Sequence, residues 1–268
     1  MTVARATHAR VINAGPEAWV FEEHAARMAK ALGTDASEEP ARYNFVLGWP
    51  ADQPLPAGSF ISPKALRCTA DKRLQAAAFE EHGVPIPETH VLSTLDDVAR
   101  FLDAHRGSCW VLKWPVGAGA TGHRMLRSVD EIPRLWEPPF LLQRFVEMDE
   151  PEVYRLYVVG ADAVGWNVRR FPEGVAPSPF VAHAKGARYV DVGLPPAEVV
   201  EAGLLAMRAV GLEGGFGAVD FIPDRGRWLV LEVNTDGPYQ HVDRDFEGAD
   251  RLDQQISTCF WAWARESP

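Results

Sequence analysis

Apolar residues in this chain recur with two different spacings, and the switches between them mark out a series of short strands and amphipathic helices. RVIN reads as a strand. After Gly15-Pro16, EAWVFEEHAARMAKALG carries a helical stripe that stops at Gly33, and YNFVLGWP returns to strand character. Within that helix, Glu22, Glu23 and His24 read as a solvated face, because consecutive residues point in different directions. A Pro-rich loop, ADQPLPAG, and a short FISP close the unit. From Thr69, TADKRLQAAAFEEHG predicts a capped helix with Lys72 in its first turn and Gly83 as its stop, followed by a Pro-bounded extended segment. STLDDVARFLDAHRG is a further helix with a Ser or Thr cap, CWVLKWP and HRMLRS are strands, and SVDEIPRLW is a short helix. PPFLLQRFVEMDE is a strand that loses its apolar character after Val146. VYRLYVVG, ADAVGWNVRRF and ARYVDVG read as strands, and PPAEVVEAGLLAMRAVGL as a helix with an Ala, Leu and Met core stripe.

The stretch from Phe216 to Pro238 is the centre of the chain. GAVDFI and RWLVLEVN are strands, and PDRG supplies the turn between them. Antiparallel pairing sets Asp220 opposite the Glu232 region. Glu232 and Asn234, two apart, share a face. Two readings of these three oxygen-bearing side chains stand: a site for a hard cation such as magnesium, or a solvated outer face.

Composition narrows the function classes. The chain has 268 residues, 47% hydrophobic and 24% charged, which suits one large domain or a few subdomains around a cleft. A net charge of -10 argues against a general nucleic-acid or anionic-membrane binder, while leaving room for a local basic cleft. Cys68, Cys109 and Cys259 are scattered and odd in number, as expected in a reducing cytoplasm. The first residues lack a signal-peptide core, and no apolar run reaches the length of a membrane span.

Lys113 is the single charge in an apolar strand, so its ammonium is directed at an anion or snorkels to the strand edge. The following Gly117-Ala118-Gly119-Ala120-Thr121-Gly122 matches the dinucleotide fingerprint G-x-G-x-x-G and begins like a phosphate loop. Both matches fail next: His123 and Arg124 stand where a phosphate loop needs Lys and Ser or Thr, and a strand follows where a dinucleotide site needs a helix. A Gly-rich hairpin tip remains, rich in free backbone N–H and able to fold over phosphates. After Gln143, Arg144, Phe145 and Val146 the chain runs into a linker whose backbone suits an adenine edge. Glu147 and Glu150 are either ribose contacts or solvated acids.

Taken together, DK opening a helix, G-V-P-I-P, V-L-K before a Gly-rich loop, L-L-Q-R-F-V, V-D-F-I and L-E-V-N resemble the ATP-grasp carboxylate-amine ligases, of the ribosomal-protein glutamate ligase and D-alanine ligase types. The resemblance spans about Asp71 to Gly237. It implies an α+β ATP-grasp fold: a small N-terminal α/β subdomain over 1–68, a lid subdomain over 69–146 and a C-terminal subdomain with the metal site over 147–268. It implies ATP and magnesium as cofactors, with two ions, manganese being an alternative. Lys72 and Lys113 would contact phosphates and Gly117, Gly119, Thr121 and Gly122 would belong to the lid. Gln143, Arg144, Phe145 and Val146 would form the adenine hinge, with Glu147 or Glu150 on the ribose. Asp220, Glu232 and Asn234 would hold the metal. Arg169, Arg170 and Lys185 would be the catalytic cations. The implied partners are a small-molecule or peptide carboxylate and an amine acceptor, with no nucleic acid or membrane and with a homodimer as one arrangement.

The reaction so implied is amide or peptide bond formation through an acyl phosphate, releasing ADP and phosphate. This chain departs from the D-alanine branch at Ala218, where that branch often has arginine, which leaves Arg169, Arg170 or Lys185 for the oxyanion. VYRLYVVG has Tyr154 where the glutamate ligase type has Ile. TDGPYQHVD follows Asn234 where many relatives read S-x-P-G, so Asp236, Tyr239, Gln240 and His241 become candidate acceptor contacts; NTDGP is also similar to the N-x-x-G-Q of ligases that cross-link ribosomal peptides. A non-catalytic ATP-binding or regulatory module on the same fold is the alternative, and a dinucleotide oxidoreductase a distant third. FWAW near the C-terminus reads as a buried anchor.

Overall fold

The computed structural model describes residues 8–15, 19–117, 119, 120, 122–235 and 246–267. Strand β1 (Ala9–Asn13), helix α1 (Trp19–Leu32) and strand β2 (Tyr43–Leu47) form the expected N-terminal unit, with the two strands parallel. In α1, Glu22 and Glu23 are exposed, but His24 is buried against Phe45. The solvated-face reading fails for His24 because the apolar stripe of the helix is wide enough to include it. Burial, helped by Arg27, holds its imidazole neutral with a pKa lowered to about 4.

Two helices of the structure, Pro63–Ala70 and Phe246–Glu266, have no counterpart in the expected elements. Ser62 caps helix α2 (Pro63–Ala70), accepting from the Ala65 N–H, and Pro63 takes the first helical position, where its missing N–H costs nothing. Asp71 then ends α2 and caps helix α3 (Lys72–His82), accepting from the Arg73 N–H. Lys72 therefore opens α3. Gly83 terminates it with φ 68°, a left-handed conformation open to glycine.

Strands β3 (Thr89–Leu92), β4 (Trp110–Lys113), β5 (His123–Leu126) and β6 (Phe140–Arg144) make a four-stranded antiparallel sheet in the order β3-β6-β4-β5. Helix α4 (Leu95–Ala104), capped by Thr94, covers one face through Val98, which packs with Trp110, Leu112 and Leu142. The opposite face carries Val111, Lys113 and Gln143 toward a cleft.

Strands β7 (Val153–Val159), β8 (Asp162–Arg170), β9 (Arg188–Asp191), β10 (Phe216–Asp224) and β11 (Arg227–Asn234) form the second sheet, ordered β11-β10-β7-β8-β9 and antiparallel throughout. The period-two pattern sorts its residues, broken once in β11 where Leu231 and Glu232 both line the cleft. Leu156, Val158, Val219, Phe221, Val230 and Val233 pack against α2, α3 and helix α5 (Ala197–Ala209). Tyr157, Val159, Phe216 and Ala218 face the other way, against β1, β2, α1 and helix α6 (Phe246–Glu266). Phe260 of FWAW is fully buried there, with Trp261 and Trp263 packed around it, as the anchor reading expects. Helices α2 and α3 thus share the core of the five-stranded sheet, while β3 to β6 keep a core of their own.

The edge strand β11 is closed by a side chain. Gln75 of α3, buried, donates to the Val233 carbonyl at 3.0 Å and accepts from its N–H at 2.7 Å; farther along, the Val230 N–H reaches the Pro85 carbonyl at 2.7 Å. No helix among the described residues is long and apolar enough to cross a membrane.

Candidate active site

The β10–β11 hairpin turns at Arg225 and Gly226, with φ of 51° and 80°. Two consecutive positive φ values in a two-residue loop give a turn whose twist suits the strands, and they fix the register. Asp220 falls opposite Glu232 and Ala218 opposite Asn234, so the three expected ligands share the cleft face of the sheet. A shift in register between Asp220 and Phe221 absorbs Leu231.

Asp220 is 1% exposed and lies between two arginines. Arg155 of β7, directly across from it in register, donates from Nε to Oδ1 at 2.7 Å and from Nη2 to Oδ2 at 2.9 Å; Arg169 of β8 also donates from Nη2 to Oδ2. Burial opposes a charge on Arg155, but Asp220 outweighs it and holds the guanidinium well above its ordinary range. Both guanidinium groups lie over the Tyr189 ring, at 5.7 and 5.5 Å. A buried fork of this kind fixes a carboxylate in orientation as well as in charge.

Glu232 sits less deeply. Its Oε2 is 3.7 Å from the Lys72 ammonium, and its Oε1 accepts from the Asn234 amide at 3.1 Å. Burial pushes its carboxyl up, yet Lys72, Lys113, the Asn234 hydrogen bond and Arg169 together bring it down to about 2, so it is an anion at neutral pH. Lys113 enters from the four-stranded sheet and donates to Gln143 Oε1 at 2.5 Å; Gln143 in turn donates to Thr89 Oγ1 at 2.9 Å. Burial lowers Lys113 to about 8, with Glu232 and Asp220 pulling against that and Lys72 adding to it.

The glycine-rich segment hangs over this end. Lys72 donates from its ammonium to the Gly117 carbonyl at 2.6 Å and from its backbone N–H to Pro115 at 2.9 Å. Gly119 and Ala120 line the cleft. At Gly122 a Cβ would lie 2.3 Å from the Trp114 Cβ, so the close strand approach there admits only glycine. Thr121, and with it Asp236, Tyr239, Gln240 and His241, lies outside the described residues.

The space between the sheets is a cleft of about 760 Å³, open mouth included. Its lining combines an apolar set, Val111 with Val146, Met148, Val153, Ile222 and Leu231, the last five packed together, and a charged set, Lys113, His123, Arg169, Asp220 and Glu232. Phe145 lines it, and Arg144 lines it while pairing at 2.6 Å with Asp224, which ties β6 to β10. Glu147 and Glu150 are exposed in the segment beyond; Glu147 accepts from Cys109 Sγ at 3.8 Å. Lys185 places its ammonium 5.9 Å from the Phe180 ring at the cleft rim. Arg170 is not brought to the cluster. One residue on from Arg169, it projects to the opposite face and meets Glu152 at 3.5 Å, the same carboxylate that accepts from the Tyr154 hydroxyl.

Arg155 and Gln75 are site-forming residues to which the sequence reading assigned no role. Arg155 stands 65 positions before Asp220 and meets it only through the pairing of β7 with β10.

No family model and no curated protein matches the chain. Solved structures do. The ATP complex of D-alanine–D-alanine ligase from Bacillus anthracis is similar with a TM-score of 0.72 and 15% identity, over 98% of this chain and 99% of that one. The ATP-grasp ligase PsnB in complex with minimal precursor, Mg and ADP gives 0.65 and 16%, over the whole of both chains. A RimK domain ATP-grasp protein from Sphaerobacter thermophilus gives 0.65 and 16%, over 94% and 99%. Likeness at such identities, running the length of both molecules, is likeness of architecture: this chain has the ATP-grasp fold.

Proposed function

We propose that the protein is an ATP-dependent ligase that joins a carboxylate to an amine through an acyl phosphate, releasing ADP and phosphate. The observation that carries this reading is the combination in one cleft of an apolar set and a charged set. Val111, Val146, Met148 and Ile222 suit the flat faces of a base. Among the charged groups Lys72, Lys113, Arg155 and Arg169 outnumber Asp220 and Glu232, so the cluster carries positive charge for an anion to neutralise. Support for ligation comes from the structural neighbours, one of them bound to ATP and another to a minimal precursor with Mg and ADP.

The donors fit a magnesium ion. Glu232 is ionised, Asn234 adds a neutral oxygen two residues on, and Asp220 stands opposite. Among the described residues the set holds two carboxylates, Asp220 and Glu232. That suits an ion whose remaining positions go to phosphates and water. Bound there, magnesium would neutralise charge on the phosphates. Lys72 and Lys113 would hold the phosphates themselves, and Arg169 would face the carboxylate oxygen as it attacks the terminal phosphorus. An amine then displaces phosphate from the acyl carbon. The glycine-rich segment would exclude water from that intermediate.

Hydroxylamine trapping with ATP, magnesium and a panel of small and peptide carboxylates tests the proposal. A hydroxamate formed with stoichiometric ADP is the expected result. AMP in place of ADP would redirect the reading to adenylation, and ATP binding without any product would favour the non-catalytic module.

A further inference from the structure

His123 opens β5 directly across from Lys113 of β4. It lines the cleft just described and also the hollow on the far side of the glycine-rich segment, where Lys72, Arg124 and Trp114 stand. Phe180 meets its ring edge to face at 5.5 Å. Three ammonium groups act on it from three different elements: Lys113 from β4, Lys72 from α3 and Lys185 from the short 3-10 turn His183–Lys185. The anions of the same cleft, Glu232 of β11 and Asp220 of β10, are each claimed by cations of their own, Lys72 for the first and Arg155 with Arg169 for the second. Among the described residues the imidazole has no side-chain hydrogen-bond partner. The ring stands among lysines at the opening where an anion is received.

We infer that His123 contacts the phosphate end of the nucleotide and takes up a proton from solvent as that anion arrives. The inference rests on the proposed nucleotide site. In the free protein, burial and then Lys113, Lys72 and Lys185 keep the ring neutral, with its pKa lowered to about 2. Phosphate oxygens reverse the local field: they offset the three ammoniums and offer the imidazolium an acceptor. One ring nitrogen gains one proton from the buffer, and no other bond changes. Affinity for the nucleotide should therefore strengthen as pH falls toward 6.

Calorimetric titration with magnesium and a non-hydrolysable ATP analogue at pH 6.0, in buffers of different ionisation enthalpy, reads the proton as the difference between wild type and variant, since protons exchanged by the analogue's own phosphates are common to both. At that pH Lys113, with a pKa of about 8, is already charged and contributes no uptake. The wild type should take up on the order of half a proton per nucleotide beyond that shared exchange. His123→Gln should take up none beyond it and bind roughly tenfold more weakly. His123→Phe, which keeps an aromatic ring against Phe180, should lose the uptake in the same way. Equal uptake in the wild type and both variants would overturn the role of His123 and leave the nucleotide site standing. Failure of the wild type to bind the analogue at all would overturn both.

Discussion

The two sheets that face each other across the cleft treat charge in opposite ways. On the five-stranded sheet, Asp220 is matched by Arg155 and Arg169 within hydrogen-bond distance, and the cluster sits on a continuous apolar core. On the four-stranded sheet, Lys113 has, among the described residues, only the neutral Gln143 as a direct partner, and burial drives its pKa down to about 8. The carboxylate of the first is held by the protein's own cations; the ammonium of the second is left for a ligand to balance. Burying a charge unpaired costs far more than burying it in a fork, so the difference separates a group whose work is to hold geometry from one whose work is to bind.

Removing the balance on the first side should have the largest effect. Asp220→Asn leaves two buried guanidinium groups without their carboxylate, and we expect a loss of stability of about 3–5 kcal/mol together with loss of turnover; urea denaturation checks the first and the ligation assay the second. A variant as stable as the wild type would show that the two faces do not differ in the way described. Glu232→Gln should do the reverse, leaving the denaturation midpoint nearly unchanged while activity falls at least about a hundredfold, in the range for losing a charge that acts in the transition state.

Lys113→Ala should raise the KM for ATP or lower kcat by at least about tenfold. The same lysine predicts a pH dependence. Its folded pKa is depressed, so its charged form, the one that binds phosphate, is complete below about 8 and declines as pH rises through that value. Nucleotide Kd measured from pH 7 to 10 should therefore rise above pH 8 in the wild type and lose that limb in Lys113→Ala. Smallest of all is Arg170→Ala. Its side chain is half exposed, and its contact with Glu152 lies outside the cleft. Activity within about twofold and stability within about 0.5 kcal/mol are expected, in contrast to a large loss for Arg169→Ala one residue earlier.

The hairpin shows how far local sequence reaches. Alternating apolar residues with a Pro and Gly turn between them are enough to bring Asp220 into the Glu232 region, but a two-residue loop alone would pair Asp220 with Leu231, and it is the bulge next to Phe221 that sets Glu232 opposite it. The same reasoning could not find the partner of Asp220. Arg155 reads as one more charge in VYRLYVVG, and nothing local states that β7 lies beside β10 in the register that joins them. Arg169 and Arg170 show the limit from the other side. Both are basic residues at a strand end, and only the strand pairing decides that the first turns into the cleft and the second away. Helix α2 hides for a local reason: Ser62 and Pro63 look like the end of the extended FISP, although together they are a cap and a first helical residue.

The clasp of Gln75 on Val233 bears on how a peptide could meet this molecule. A strand whose outward amide and carbonyl are already taken by a glutamine side chain cannot recruit a visiting backbone at that point, and Pro85 occupies another position on the same border. A chain extending the larger sheet by strand addition would have to join at its other margin, beside β9, on the side away from Glu232 and Asn234.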